Sequence, residues 1–158
     1  MKITRKEAIR RGIQIINTRW IDIHKGDTKN PIYRSRFVGK EFNDGELDGL
    51  FAATPPLEAL RTLVSEAATV EEEDKVIMLN DVARAFFEAP MTRELCIELP
   101  EEDLEEGETQ GEMVGLLLMS LYGTRDAATN FQQEVKKLMV ANGFTQGVYN
   151  PCTYFNRK

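Results

Sequence analysis

The stretch "VIMLNDVARAFFEAP" (residues 76–90) decides how the chain is understood, because it begins like a buried strand and then places a carboxylate at its end. Residues 76–79 form a continuous apolar run of strand length, which predicts a buried strand. Asp81 follows almost at once, and a second apolar group comes after it at residues 85–87. A buried, unpaired charge is costly, so we expect Asp81 to be neutralised, paired or bound to a metal ion.

The composition describes a globular chain with an uneven distribution of charge. Its 158 residues are 42% hydrophobic and 29% charged, which suits one domain with a sizeable core. No apolar run approaches the roughly 20 residues that span a bilayer, and the N-terminus has no signal-peptide core, so we expect a cytoplasmic or nuclear protein with no membrane partner. The formal net charge is −6, yet residues 1–40 contain 11 Lys and Arg against 3 Asp and Glu. This basic segment is either a polyanion-binding face or a chance cluster on a solvated surface.

Few residues in the chain could bind a soft metal ion. Cys96 and Cys152 share no motif and are interpreted as structural thiols. His24 is the single histidine, which argues against a zinc site. A metal ion bound here would therefore be a hard cation held by carboxylates.

Alternating polarity predicts a β-hairpin near the N-terminus. Residues 18–24 and 32–42 alternate, and residues 25–31 between them have the composition of a turn. Arg34 and Arg36 lie on the return strand, and they share one face because side chains two apart in a strand point the same way.

The remaining pattern mixes helices and strands without a regular βαβ alternation, which favours an α+β fold. Thr4 and Glu7 form a capping box, Thr54 is a fitting N-cap, and Gly143 ends a helix. The apolar runs at residues 76–79 and 114–118 are predicted to be neighbouring buried strands of one sheet. The acidic loop 101–112 is predicted to be the least ordered internal segment. The predicted helices cover residues 4–11, 53–69 and 125–144, and further strands cover residues 94–100, 113–123 and 150–158.

Four blocks of sequence, taken in order, resemble the reverse transcriptase domain of copia-type retrotransposon Pol polyproteins. They have the family's order and spacing and span nearly the whole chain, which makes the series far more specific than any single block. The blocks are "TRWIDIHKGDTKNPIYRSRFVGKEF" (18–42), "FAATPPLEALRTLVSEAA" (51–68), "LNDVARAFFEAP" (79–90) and "SLYGTRDAATNFQQEVKKLMVANGFTQGVYNPCTYF" (120–155).

The resemblance implies the right-hand fold of polymerases, with a fingers hairpin and helix at about residues 17–75 and a partial palm at about residues 76–158. It implies that Asp81, at the end of a palm strand, is the catalytic aspartate. Asp81 would help to hold magnesium ions that activate the primer 3′-hydroxyl and stabilise charge on the transferring phosphate. Val82 would offer its backbone carbonyl. From the residues alone, an N-cap or turn aspartate is the alternative for Asp81.

The resemblance also implies residues that bind the incoming nucleotide. Phe86 matches an aromatic residue that stacks against the sugar and excludes a ribose 2′-hydroxyl, although its position after a strand would equally suit a core side chain. Lys25 at the hairpin tip, with Arg34 and Arg36, would grip the triphosphate, because arginine binds phosphate bidentately and lysine acts as a point charge.

The last block matches the segment that forms the floor of the nucleotide pocket. Tyr122, Gly123 and Arg125 match that segment, and Gly123 would allow a close backbone approach. Where the family usually has Gln and Pro, this chain has Asp126 and Ala128. An acid at position 126 is expected to be unfavourable beside nucleic-acid phosphates.

The expected function is that of an N-terminal fingers and palm fragment of an RNA-directed DNA polymerase. Its expected partners are an RNA or DNA primer–template, a deoxynucleoside triphosphate, Mg²⁺ and the rest of the Pol polyprotein. The family's Tyr-Val-Asp-Asp motif should follow residues 150–155, and the sequence reaches Lys158 before it. We therefore expect a fragment, truncated before the second catalytic motif, that is inactive alone. The alternatives are a domesticated or decaying remnant that binds nucleic acid or protein weakly, and an unrelated acidic α+β domain with coincidental matches.

Overall fold

The computed structural model describes residues 1–42, 52–69, 76–77, 82–109 and 111–156. The predicted loop at 43–49, the charged connection at 71–75, and residues 78, 79 and Asp81 of the opening stretch lie outside the described residues.

A five-stranded mixed sheet lies at the centre of the fold. Its strands have the spatial order β1-β5-β4-β2-β3, and β2 pairs in parallel with β4 while the other neighbours are antiparallel. The strands are β1 (Lys2–Thr4), β2 (Ile15–His24), β3 (Tyr33–Lys40), β4 (Cys96–Glu98) and β5 (Met113–Leu116).

Three helices and a small second sheet complete the described structure, which confirms the α+β class. The two strands of the second sheet pair in antiparallel fashion. Short 3₁₀ turns lie at Ala85–Glu88 and Glu101–Asp103. The helices are α1 (Arg5–Arg10), α2 (Leu57–Ala68) and α3 (Ala127–Ala141), and the strands of the second sheet are β6 (Thr145–Gln146) and β7 (Tyr154–Phe155).

Local signals in the sequence place several of these elements correctly. The hydroxyl of Thr4 accepts a hydrogen bond of 3.2 Å from the backbone N–H of Glu7 at the start of α1. The predicted hairpin is β2 and β3, in which Trp20 pairs with Phe37 and their rings lie 5.1 Å apart. Gly143 follows the end of α3 at φ +83°, a conformation that glycine adopts at little cost.

The core lies on both faces of the sheet, as the alternation of side chains along a strand requires. One apolar cluster packs under α1 and the other lies beneath the loop that precedes α3. Their buried members are Ala8, Ile13, Cys96, Val114 and Leu116 in the first cluster, and Ile16, Leu95, Ile97 and Leu121 in the second. Both cysteines are free, and burial raises the pKa of each thiol, which favours the inert, structural role expected for them.

The prediction that residues 76–79 form a buried strand beside residues 114–118 is wrong for Val76 and Ile77, the two residues of that run that the structure describes. Val76 and Ile77 lie outside any strand and are 88% and 44% exposed. The two edges of β5 are already occupied by β1 and β4. Sequence patterning missed β1 because three residues at a chain end show too little alternation to be recognised.

Helix α2 begins later than predicted and buries none of its residues. Its N-cap is Pro56, in an extended conformation, and not Thr54. Pro55 precedes another proline, and the residue before a proline is disfavoured in the helical region, so the helix begins only after both prolines. The apolar stripe of Leu57, Leu60 and Val64 is about half exposed.

The acidic loop 101–112 stays close to the surface. Leu104 is partly exposed and Glu105 is exposed, so neither residue packs tightly in the core. Lys2 donates to Glu105 at 3.0 Å and to Glu108 at 2.9 Å, which attaches the loop to β1. Its low order relative to other segments stays a prediction.

Candidate functional site

A cavity of about 490 Å³ lies between the hairpin and the loops that precede α3. We call it the arginine pocket, because three arginine residues and several aromatic residues line it. No acidic side chain is present among the described residues that line it. The lining residues are Trp20, Arg34, Ser35, Arg36, Phe37, Arg84, Phe87 and Tyr122.

Two of the predicted phosphate-binding residues reach this pocket together. Arg34 and Arg36 both lie on β3 and both line the cavity, as their spacing of two residues requires. Arg34 is exposed and Arg36 is half-buried. Lys25 is the third residue predicted to bind the triphosphate, and it does not line the cavity. It lies near the hairpin tip, where its backbone N–H donates to the carbonyl of Ile32 at 2.7 Å.

Arg84 supplies the third guanidinium, and sequence reasoning missed it. Its φ of +57° and ψ of +39° place it in the left-handed region, where it is the sole residue other than glycine with positive φ within the described ranges. Its carbonyl accepts a hydrogen bond of 2.8 Å from Phe87 and so begins the 3₁₀ turn. Arginine is uncommon in this conformation, so no sequence signal pointed to it.

Aromatic rings form one wall of the pocket and continue behind it. The ring of Tyr122 lies 5.6 Å from that of Phe87 and 4.7 Å from that of Phe86. Phe87 and Tyr122 line the arginine pocket, whereas Phe86 lines a neighbouring, mainly apolar cavity of about 390 Å³ together with Phe131. The predicted stacking of Phe86 on a sugar stays a prediction, and its neighbour Phe87, together with Phe37 of β3, lines the arginine pocket.

The backbone of β3 touches the loop that carries Tyr122. The N–H of Gly39 donates to the carbonyl of Tyr122 at 2.8 Å, and the N–H of Glu41 donates to the carbonyl of Gly123 at 3.3 Å. Gly123 has φ +85°, and a Cβ atom there would lie 2.1 Å from the carbonyl oxygen of Gly39. A glycine is therefore required at position 123, because the backbone of β3 packs directly against the backbone of this residue.

The other predicted site residues lie outside the lining of the pocket. Val82 is exposed. The backbone N–H of Arg125 donates to Glu41 at 2.9 Å. The roles predicted for both residues, and for Asp81, stay predictions.

A buried ion-pair network joins the end of β3 to the segment that follows Tyr122. The guanidinium of Arg93 donates to both carboxylate oxygens of Asp126 at 3.1 Å and to Oε2 of Glu41 at 2.7 Å. The side chains of Glu41 and Asp126 are only 2% and 4% exposed, and that of Arg93 is 23% exposed. We call Arg93, Glu41 and Asp126 together the Arg93 clamp.

Burial disfavours the charged forms of Arg93 and Asp126, and their mutual pairing stabilises those forms. Burial works against the charged form of Arg93, but its hydrogen bonds to Asp126 and Glu41 prevail and raise its pKa. Burial acts to raise the pKa of Asp126 and is the largest single influence on it. The hydrogen bonds and the charge of Arg93, with hydrogen bonds from the backbone and Asn130, together outweigh burial, and the pKa is lowered. Both residues are therefore held in their charged forms.

The clamp corrects the expectation that Asp126 lies unfavourably beside phosphates. Its carboxylate is buried and also accepts a hydrogen bond of 3.2 Å from Asn130, whose amide donates to Ser120 at 3.1 Å. The hydroxyl of Thr92 donates to Oδ1 of the Asn130 side chain at 3.0 Å. Asp126 thus forms the polar anchor of α3.

The described part of the chain offers no ready-made metal site. Within it, no three or more His, Cys, Asp and Glu side chains are grouped so that they could hold an ion. Asp81 lies outside that part of the chain. Among the described residues, no helix is both long enough and apolar enough to cross a membrane.

Comparison with other proteins places the chain among polymerases. The family model described as reverse transcriptase (RNA-dependent DNA polymerase) matches residues 7–157. A relative, the retrovirus-related Pol polyprotein from transposon TNT 1-94 of Nicotiana tabacum, is 28% identical over 152 residues. That match covers 93% of this chain and 11% of the polyprotein, so the chain spans about a tenth of its relative's length. No solved structure matches the chain.

Proposed function

Since this chain belongs to the reverse transcriptase (RNA-dependent DNA polymerase) family, as the four sequence blocks indicated, we propose that it forms the N-terminal fingers and partial palm of a copia-type RNA-directed DNA polymerase. In this proposal the hairpin and α2 belong to the fingers, at about residues 17–75. Residues 76–158 belong to the palm. The rest of a Pol polyprotein would complete the enzyme, whose reaction is template-directed transfer of a nucleotide from a deoxynucleoside triphosphate to a primer 3′-hydroxyl.

The observation that supports this function best is the arginine pocket. Arg34, Arg36 and Arg84 bring three fixed positive charges to one cavity that has aromatic walls. Guanidinium groups bind phosphate oxygens bidentately, and aromatic rings stack on bases or sugars. A volume of about 490 Å³ lies within the range of small-molecule sites. The pocket therefore suits the phosphates of a nucleotide or of a primer–template.

We propose that Asp81 and the backbone carbonyl of Val82 contribute to the metal site of the complete enzyme. The family uses divalent metal ions, and Mg²⁺ bound there would stabilise the charge that develops on the transferring phosphate. One carboxylate holds magnesium poorly in water. The 158-residue chain is therefore expected to incorporate no nucleotide. We expect it to bind primer–template, but weakly.

A salt titration tests the binding part of the proposal. Anisotropy of a fluorescently labelled primer–template should report weak binding that falls steeply as salt rises, because phosphate contacts release counterions. Arg34→Ala combined with Arg36→Ala should weaken binding and reduce the salt slope by up to about 2. Asp81→Asn should change both little.

The matched control is Arg10→Ala combined with Arg11→Ala, which removes the same charge at and just after the end of α1. If both double variants lose binding equally, the arginine pocket is not the site. Primer extension tests the catalytic part of the proposal. Extension by the wild-type chain that disappears in Asp81→Asn would contradict the proposal that the chain is inactive alone.

A further inference from the structure

The Arg93 clamp is a buried network of charges for which the proposed function has no use. It joins two segments that contribute to the arginine pocket. Oε2 of Glu41, just beyond β3, accepts from Arg93 at 2.7 Å and from the backbone N–H of Arg125 at 2.9 Å. One carboxylate oxygen thus ties the end of β3 to the segment that begins at Tyr122.

The same two segments are also joined through their backbones. Gly39 and Glu41 donate to the carbonyls of Tyr122 and Gly123, and the approach is too close for any side chain at position 123. Arg34 and Arg36 lie on β3 a few residues before this junction. The junction therefore fixes the backbone of β3, which carries these arginines, relative to the backbone of the segment that carries Tyr122.

The charges at the junction are arranged so that no single contact can be lost cheaply. One guanidinium faces two carboxylates that are almost fully buried. Removing one member of such a group leaves a buried charge without its partner. The planar fork of arginine binds Asp126 through two nitrogens while one of them also donates to Glu41. The single ammonium group of lysine cannot reproduce that bidentate geometry.

We propose that Glu41 and Arg93 are positioning residues that hold the end of β3 on the Tyr122–Arg125 segment and so set the geometry of the arginine pocket. What the pocket binds rests on the proposed function. The effect of the two residues on its geometry rests on the contacts alone.

Hydrogen exchange measures that geometry without a ligand. In Glu41→Ala, the amides of Gly39, Glu41 and Arg125 should exchange about tenfold faster or more, since each depends on a hydrogen bond at the junction. The amides of Arg5 and Leu116, which pair with Glu112 and Met1 elsewhere in the sheet, should keep their wild-type rates. Glu41→Gln retains an oxygen that can accept from Arg125, so it should restore part of the protection of that amide.

The matched control is Glu98→Ala, which removes a carboxylate that pairs with Arg5 on the same sheet. It should leave the three junction amides unchanged. If Glu41→Ala does not fold, Arg93→Lys tests the same proposal and should accelerate the same amides. Junction amides that keep wild-type rates in folded Glu41→Gln and Arg93→Lys would overturn the proposal, as would equal acceleration of all five amides.

Primer–template binding then tests whether the geometry matters. Arg34→Ala should weaken binding in the wild-type background but by at least about threefold less in the Glu41→Ala background, because coupled residues are non-additive. Equal losses in both backgrounds would also overturn the proposal. If the wild-type chain binds no primer–template, the proposed function fails, and the exchange rates alone decide whether Glu41 and Arg93 are positioning residues.

Discussion

Two groups of ion pairs in this molecule differ in how far their carboxylates are buried. The Arg93 clamp is buried, with carboxylates that are 2% and 4% exposed. The second group, which we call the N-terminal set, pairs Lys2 and Arg5 with acids that are 20–76% exposed. The acids of the N-terminal set are Glu98, Glu105 and Glu108.

The difference shows that the number of ion pairs says little about their importance. Exposed pairs remain largely hydrated, so breaking one lets water replace the partner and costs little. A buried pair has lost its water, so breaking it leaves a charge that nothing solvates. β1 is held to the sheet by backbone hydrogen bonds in addition to its ion pairs. The Glu41 carboxylate likewise lies at a junction that also contains backbone hydrogen bonds from Gly39 and Glu41, but its charge is almost fully buried.

The largest expected effect is that of Arg93→Met. The change leaves Glu41 and Asp126 buried without a cation, and it should lower the free energy of unfolding by about 3 kcal/mol. Arg5→Met removes a partly exposed pair with Glu98 and a hydrogen bond to the carbonyl of Gly111, and it should cost less than about 1 kcal/mol. Urea unfolding followed by circular dichroism measures both. Equal losses in the two variants would break the comparison.

A smaller effect is expected from the glycines of the two regions. Gly123→Ala combines a left-handed backbone with a clash against Gly39 and should cost about 2 kcal/mol. Gly107→Ala, in the acidic loop, has φ +93° but no atom within 4 Å of the added Cβ, so it should cost only about 1 kcal/mol. The difference between their urea midpoints isolates the close approach. If Gly107→Ala is the more costly change, the contact at Gly123 is not tight.

A third effect concerns pH. The folded-state pKa of Asp126 lies below the unfolded value of about 3.9. Its ionised form therefore stabilises the fold above about pH 4, and that contribution is lost as the pH falls through the folded pKa. Asp126→Asn should thus be less stable than the wild type at pH 7, and the gap should narrow at pH 3.

The exposed counterpart of Asp126 is Glu108. A hydrogen bond from the backbone of Glu105, followed by one from Lys2, lowers its pKa as well. Because its charge is solvated, Glu108→Gln should show a much smaller gap at pH 7 in the same urea series. A gap that does not narrow for Asp126→Asn at low pH would show that its charge contributes nothing to stability.

The smallest effect is expected from Lys2→Ala. Hydrogen bonds to Glu108 and Glu105 raise the pKa of Lys2, but its pairs lie at the surface. Any loss in melting temperature should disappear in 1 M NaCl, where the screening length falls to about 3 Å. The Arg93→Met loss should persist in the same buffer. If the melting temperature of Lys2→Ala stays below that of the wild type in 1 M NaCl, the ion pairs of Lys2 behave like buried pairs.

Much of the local structure could be predicted because its causes are local. The capping box of Thr4 and Glu7, the hairpin and the shared face of Arg34 and Arg36 depend on residues two to a few positions apart. The family resemblance then brought Tyr122 to the same pocket. Residues 76–77 misled the prediction, because an apolar run shows that burial would be favourable and not that an edge of the sheet is free.

The clamp could not be predicted, because its causes are distant in sequence. Arg93 lies 52 residues from Glu41 and 33 residues from Asp126, and Arg125 lies 84 residues from Glu41. Periodicity carries no information about such pairs. Asp126 therefore resembled a misplaced acid until its partner was visible, and the left-handed Arg84 had no signal of any kind.

The hairpin has a mechanical consequence. Within the described structure, β4 pairs with β2 at Ile15 and Ile16, and the hydroxyl of Thr18 donates to the carbonyl of Glu98. Beyond Thr18, the two hairpin strands pair with each other alone in that part of the chain. They form a cantilever whose root is the junction at Gly39. At about 3.3 Å per residue, Arg36 lies about 10 Å from Gly39 and Tyr33 about 20 Å. A tilt of about 5° at the root therefore moves Arg36 by about 1 Å and the far end by about 2 Å. Such a displacement is enough to break a bidentate contact with a phosphate, so the stiffness of the root limits how accurately the arginines can hold one.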